Sequence, residues 1–316
     1  MGKTSIEWCD HSINPIRARL GAGSGHYCEK VSPGCKNCYS SALQRRFGMP
    51  SFAEQRRSEV EPYLHLPALD EVIRRRKPTR YFWCDMTDLF GAWVTDEWID
   101  QCFATMALTQ QHTHLVLTKR PERMRAYFAM EDRDAMIEGA AQALYHERTG
   151  EDPSMWLAVH TPIRNVWLGV SCEDQPRADA RVPLLLETPA AVRFVSAEPL
   201  LGPIDFSRCG LWLCKHWNSS DSLHAAPWCP EDPAKWWWEP QALRGVGQEL
   251  LDWIIVGSES GPGRRPMQIE WARSLVDQCE AARVPIFVKQ ISSSADQKGG
   301  NPEHWPPGRW PREFPS

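Results

Sequence analysis

From residue 81 onward one pattern governs the chain: short apolar runs recur, with helical periodicity between several of them. The runs are 81–84 (YFWC), 114–118 (HLVLT), 165–170 (NVWLGV), 192–196 (VRFVS), 251–256 (LDWIIV) and 285–289 (PIFVK). Each is rich in β-branched or aromatic residues, as a strand covered on both faces should be. Helix-like stretches follow three of them, around 96–108, 121–130 and 269–282. Strands alternating with helices imply βαβ units and parallel pairing. A strand near 6–14 and a helix over about 39–47 open the series. The pattern predicts an α/β fold, a complete or partial (β/α) TIM-like barrel. The expected organisation is a barrel over 1–292 with an insertion at 207–250, followed by a Pro/Gly-rich tail at 293–316.

The strand ends are chemically busy. Just past the apolar runs come Asp85 to Asp88, then Lys119 and Arg120, then Ser171 to Asp174. Glu198, the segment Gly257 to Gly261, and Gln290 complete the set. In a barrel these positions line the C-terminal mouth, where active sites are built. A single polar residue there also serves as a turn or helix cap. Six successive strand ends make the rim the candidate site. Residues 131–164 read as a helical stretch and a polar connection, a candidate lid.

Eleven cysteines occur in a chain whose first residues, MGKTSIEWCDH, lack the apolar run of an export signal. They are expected to be metal ligands, reactive thiols and core residues in a cytoplasmic protein, not disulfides. The uncharged apolar stretches fall short of the roughly 18 to 20 residues that cross a bilayer, so no membrane association is expected. The net charge of −4 argues against a protein that coats nucleic acid. Its distribution is uneven, with +6 over residues 1–80 and −10 over the remainder. The basic part, with Arg45, Arg46, Arg56, Arg57 and the run Arg74 to Lys77, is either a set of solvated faces or a phosphate-contacting patch.

The sharpest local signal is Cys28-x6-Cys35-x2-Cys38, in a loop containing Gly, Ser and Pro before the helix at 39–47. Three thiolates on one short loop suit a metal held by soft ligands. Structural zinc is usually closed by four ligands, and the fourth would be His26 or a distant residue. A [4Fe–4S] cluster on three cysteines leaves one iron open, the arrangement that lets S-adenosylmethionine (SAM) chelate iron and be split reductively. Iron–sulfur, zinc and unligated thiols are the three readings of this loop.

The blocks KVSPGCKNCY, DMTDLFGAWV, LTKRPERM, NVWLGVSCEDQ, RFVSAEPLLGPID and WIIVGSESGPGRRPM together resemble the phage- and prophage-associated three-Cys-motif family, whose function is unknown. The resemblance runs from about residue 4 to 290, interrupted at 207–250. It implies a barrel similar to that of radical SAM enzymes, with a cluster on Cys28, Cys35 and Cys38. Radical SAM enzymes most often use C-x3-C-x2-C with an aromatic residue before the last cysteine. Here the first gap is six, Tyr39 follows Cys38, and the extra residues 17–25 are expected to lengthen the cysteine loop and make it more mobile.

With SAM bound, Asp85 or Asp88 would take its ammonium group and Lys119 or Ser171 its carboxylate. Glu198 or Glu259 would hold the ribose or the substrate. An electron donor, a reductase or a flavodoxin-like protein, is the implied partner. A phage setting makes nucleotide or DNA-base modification the natural substrate class. In the insertion, Cys209, Cys214, His216 and Cys229 are a possible zinc set, and the tryptophans around them either stack on bases or form a satellite core. The alternative function is a zinc-binding, non-enzymatic accessory or nucleic-acid-interacting protein.

Overall fold

The computed structural model describes residues 4, 6–53, 55–154, 157–208, 250–260, 263–292, 296 and 299–315. Two compact units are formed, Met1–Val170 with Thr188–Ala191, and Ser171–Glu187 with Val192–Ser316. The insertion residues proposed as a zinc set lie outside the described residues.

The first unit contains β1 (His11–Ile13), β2 (Ile16–Leu20), β3 (Gly23–Gly25), α1 (Tyr39–Leu43), β4 (Glu61–Leu64) and α2 (Leu66–Arg74). It continues through β5 (Arg80–Trp83), α3 (Asp96–Ala107), β6 (Thr113–Thr118), α4 (Pro121–Phe128), α5 (Arg133–Thr149) and β7 (Val166–Ser171), whose last residue belongs to the second unit. β1, β5, β6 and β7 pair in parallel, with His11 opposite Tyr81, Tyr81 opposite His114 and His114 opposite Val166. Tyr81, Trp83, Leu115 and Val116 are fully buried, so both strand faces are covered and the apolar runs carry no alternation. Local signals set the helix starts. Thr95 caps α3 by accepting from the Trp98 N–H, and Pro121 opens α4.

A second, antiparallel sheet of order β3-β2-β4 is built from the segment expected to be a mobile extension of the cysteine loop. Ile16 and Ala18 are buried while Arg19 is exposed, and Gly21 turns the chain at a left-handed φ of 54°. The candidate lid at 131–164 is largely α5. Its Arg133 is buried, bonds Asp100 of α3 at 2.5 Å and lies over the Tyr127 ring, which anchors the helix.

The second unit contains α6 (Gln175–Leu186), β8 (Val192–Ala197), β9 (Trp253–Gly257), α7 (Ile269–Ala282) and β10 (Ile286–Gln290). Its strands are parallel, in the order β8-β9-β10, with Phe194 opposite Trp253 and Ile254 opposite Ile286. The tail docks here. Arg312 bridges antiparallel to Phe287, Val288 N–H donates to Pro311 O at 2.8 Å and Glu313 N–H to Ile286 O at 2.9 Å. Phe314 packs on Trp253 and Phe287, so this stretch covers the free edge of β10.

All seven candidate strands are strands, and within each unit they run parallel with helices between most of them. The fold is mixed α/β and consistent with a partial (β/α) barrel. Among the described residues no helix is long and apolar enough to cross a membrane.

Candidate metal centre

The cysteine loop leaves β3 at Gly25 and enters α1 at Tyr39. A Cβ on Gly25 would come within 2.6 Å of Gln44 Oε1, an atom that also accepts from the His26 N–H at 3.1 Å. Only glycine lets the strand approach that buried amide. Beyond it, a 3-10 turn at Pro33–Cys35 is closed by Cys35 N–H to Ser32 O at 2.9 Å. Cys28, Cys35 and Cys38 are half-buried free thiols. Cys38 Sγ lies 3.0 Å from the Ser40 hydroxyl and Cys35 Sγ 3.7 Å from that of Ser32.

Charged neighbours act on Cys28 and Cys35 in opposite directions. Burial pushes Cys28 up to about 12, aided by Asp88 and by Cys38 and Cys35, against the opposing charge of Arg120. Burial would also raise Cys35, but the Lys119 charge and hydrogen bonds from Val31 and Ser32 outweigh it and hold this thiol below its ordinary range. Among the described residues no three His, Cys, Asp or Glu side chains converge as metal ligands. The donor set itself, three thiols beside two cations, suits an anionic thiolate cluster.

Two of the rim carboxylates act on this loop. Asp88 is buried and accepts from the Thr118 hydroxyl at 2.7 Å, from Phe90 and Lys119 N–H at 3.0 Å each, and from Arg120 Nη1 at 3.2 Å. Arg120 in turn donates to Glu29 O at 3.3 Å and lies 4.7 Å over the Trp93 ring, which meets Tyr27 edge-on. Asp88 thus reaches the residues flanking Cys28 through one guanidinium. Asp85 accepts from Asn14 Nδ2 at 2.5 Å and from the Tyr39 hydroxyl at 3.2 Å, tying down the residue after Cys38. Burial raises the Asp85 carboxyl above its ordinary range, with those bonds opposing the rise. The turn between the two aspartates starts at Cys84, held at a left-handed φ of 60°.

The remaining candidates belong to the second unit, each with an internal partner. Glu198 forms a salt bridge with Lys289, and a Cβ on Gly257 would lie 3.1 Å from the Glu198 carboxyl carbon. Buried Glu259 binds Arg265 in a fork and accepts the Arg265 N–H at 2.8 Å. Ser171 is buried and its carbonyl accepts from Arg181, which also pairs with Glu173 at 3.0 Å. Within their units, the described structure brings Cys28, Cys35, Cys38, Asp85, Asp88 and Lys119 together, and gathers Ser171, Glu198 and Glu259 along the strand ends of the second.

A family model described as a protein of unknown function (DUF5131) matches residues 3–304. The chain belongs to that family. No curated protein and no solved structure matches it. The DUF5131 match covers the cysteine loop, both aspartates and all three candidates of the second unit.

Glu29, Tyr27, Trp93 and Asn14 were not singled out by the sequence, although all four shape the loop. Arg120 carried a signal, standing next to Lys119 at a strand end. Trp93 and Tyr27 carried none, because aromatic residues are abundant throughout the chain.

Proposed function

We propose that this member of DUF5131 is an iron–sulfur enzyme of the radical SAM kind. Cys28, Cys35 and Cys38 hold a [4Fe–4S] cluster, and the substrate is a nucleotide or a nucleic-acid base. The observation that carries this reading is the placement of three half-buried free thiols on one short loop, with Asp88 joining Lys119 and Arg120 to the residue after Cys28. When bound, such a cluster with SAM at its open iron supplies reductive carbon–sulfur cleavage.

The chain's own residues do the rest. Lys119 and Arg120 offset the charge of the thiolates. Asp88 and Asp85 fix the two ends of the loop, and buried Tyr27 and Trp93 limit water beside Arg120. Asp88 is saturated by four donors, which makes it a positioning residue and leaves Asp85 the candidate for the SAM ammonium group, with Lys119 the candidate for its carboxylate. Glu198 and Glu259 would bind a ligand by exchanging Lys289 and Arg265 for it. The phage and prophage setting implied by the three-Cys-motif resemblance favours DNA-base modification, and a base in duplex DNA would have to be flipped out. A reductase or flavodoxin-like donor supplies the electron.

Anaerobic purification followed by metal analysis tests this reading. Brown protein containing iron and sulfide, which forms 5′-deoxyadenosine from SAM under reduction, supports it. Colourless protein with stoichiometric zinc overturns it in favour of a zinc-stabilised accessory protein.

A further inference from the structure

We propose that the sheet β3-β2-β4 is a platform for single-stranded nucleic acid, lying at the entrance to the cysteine loop. This names the substrate class of the site proposed above and rests on that reading. Antiparallel pairing sets Arg17 opposite Tyr63, and Arg19 opposite both Ser24 and Glu61. Paired residues share a face, so Arg17, Arg19, Ser24, Glu61 and Tyr63 stand together while Ile16 and Ala18 are buried on the other side.

The chemistry of that face suits bases and phosphates at once. The Arg19 guanidinium lies 4.1 Å over the Tyr63 ring, and its side chain is 53% exposed. The Tyr63 hydroxyl is 3.2 Å from that of Ser24, and its ring meets His65 edge-on. A guanidinium over an aromatic ring can offer a face to a base and its charge to a phosphate. The acidic residues nearby do not close the surface. Glu61 reaches Arg19 at only 3.8 Å and Glu59 reaches Arg56 at 3.6 Å, both exposed pairs of the kind that salt and phosphate displace.

Position and charge connect this face with the loop. β3 ends three residues before Cys28, and the turn bearing exposed Arg45 and Arg46 is packed there through Gln44. Exposed Arg56 and Arg57 lie on the approach to β4. Residues 16–64 hold eight Lys and Arg against four Asp and Glu, or +4, in a chain whose net charge is −4. The segment that forms the sheet and the loop is thus basic within an acidic chain, as polyanion binding requires and a free nucleotide does not.

The test is fluorescence anisotropy of a labelled single-stranded oligonucleotide with the full chain, over a range of salt, with the matching duplex and polyglutamate as competitors. Binding should weaken steeply with salt. Replacing Arg17 and Arg19 together with alanine should make the slope shallower by about 0.7 for each phosphate no longer neutralised. Tyr63→Ala should lower affinity about tenfold, the scale of one base stack, and Tyr63→Phe should retain it. Should Tyr63→Ala fail to fold, Arg19→Gln on the exposed face carries the same test. Absence of salt-sensitive binding, equal competition by polyglutamate, preference for duplex, or unchanged binding by the arginine variants overturns the proposal. Iron content of the same preparations separates the two readings. Iron-loaded protein that ignores the oligonucleotide sinks the platform alone, whereas a Cys35→Ala protein that loses iron and still binds supports the platform.

Discussion

At the scale of single residues, Asp88 and His114 show how few alternatives a buried polar group has. Asp88 pairs with Arg120, whose side chain is only 14% exposed, and deleting it leaves that guanidinium with only the longer contact to the half-exposed Glu29 carboxylate at 3.8 Å. Asp88→Ala should cost about 3 kcal/mol in denaturant unfolding, and an unshifted midpoint would refute the tether. His114 is wholly buried between Trp83 Nε1–H, which donates to Nδ1 at 3.0 Å, and the Thr109 hydroxyl at Nε2, also at 3.0 Å. Nδ1 is the acceptor, so Nε2 carries the proton and the ring is neutral. Burial pushes its pKa down to about 3 from an ordinary 6.5, and His26, also mainly through burial, falls to about 4. Below pH 6.5 the unfolded chain takes up these protons and the folded one does not. Stability should therefore fall with acidification, by about 1.4 kcal/mol per pH unit for each such histidine, until the folded pKa is reached. Unfolding followed from pH 7 to pH 5 checks this. His114→Gln, less stable at pH 7, should show a shallower decline, and an equally steep one would count against the assignment.

At the scale of elements, the tail is the clearest case of structure that sequence periodicity does not announce. Residues 311–314 hold few apolar side chains, yet Phe314 sits on Trp253 and Phe287, and Trp253 donates to Glu313 O at 2.8 Å. Phe314→Ala should lower unfolding stability by about 2 kcal/mol, less than a fully buried phenylalanine because this ring is half-exposed. A change near zero would mean that the edge is held by backbone bonds alone. The parallel strands were legible because burial on both faces writes an unbroken apolar run. The sheet β3-β2-β4 was not, since β2 is only five residues long and of its alternating apolar residues only Ile16 and Ala18 are fully buried. α2 escaped notice as well, its buried face amounting to Ala68, Leu69 and Val72. Of the site, the cysteine spacing was legible because the three cysteines are close in sequence. The role of Asp88 was not, because its partner Arg120 stands 32 residues away and pairing at that distance leaves no local pattern.

At the scale of the molecule, residues 1–80, which carry the three cysteines, hold a charge of +6, while the chain as a whole is acidic. In the proposed reading, this positive charge beside a thiol-bearing loop would serve the cluster and a polyanionic substrate in one unit. That unity depends on the metal. The most direct measurement is iron and acid-labile sulfide per chain in anaerobically prepared wild-type, Cys28→Ala, Cys35→Ala and Cys38→Ala proteins. The expected result is iron and sulfide in equal amounts in the wild type and loss of both in each variant, with the thermal unfolding transition preserved. Full iron retention in any one variant, or zinc in place of iron in the wild type, would contradict a cluster held by these three thiols.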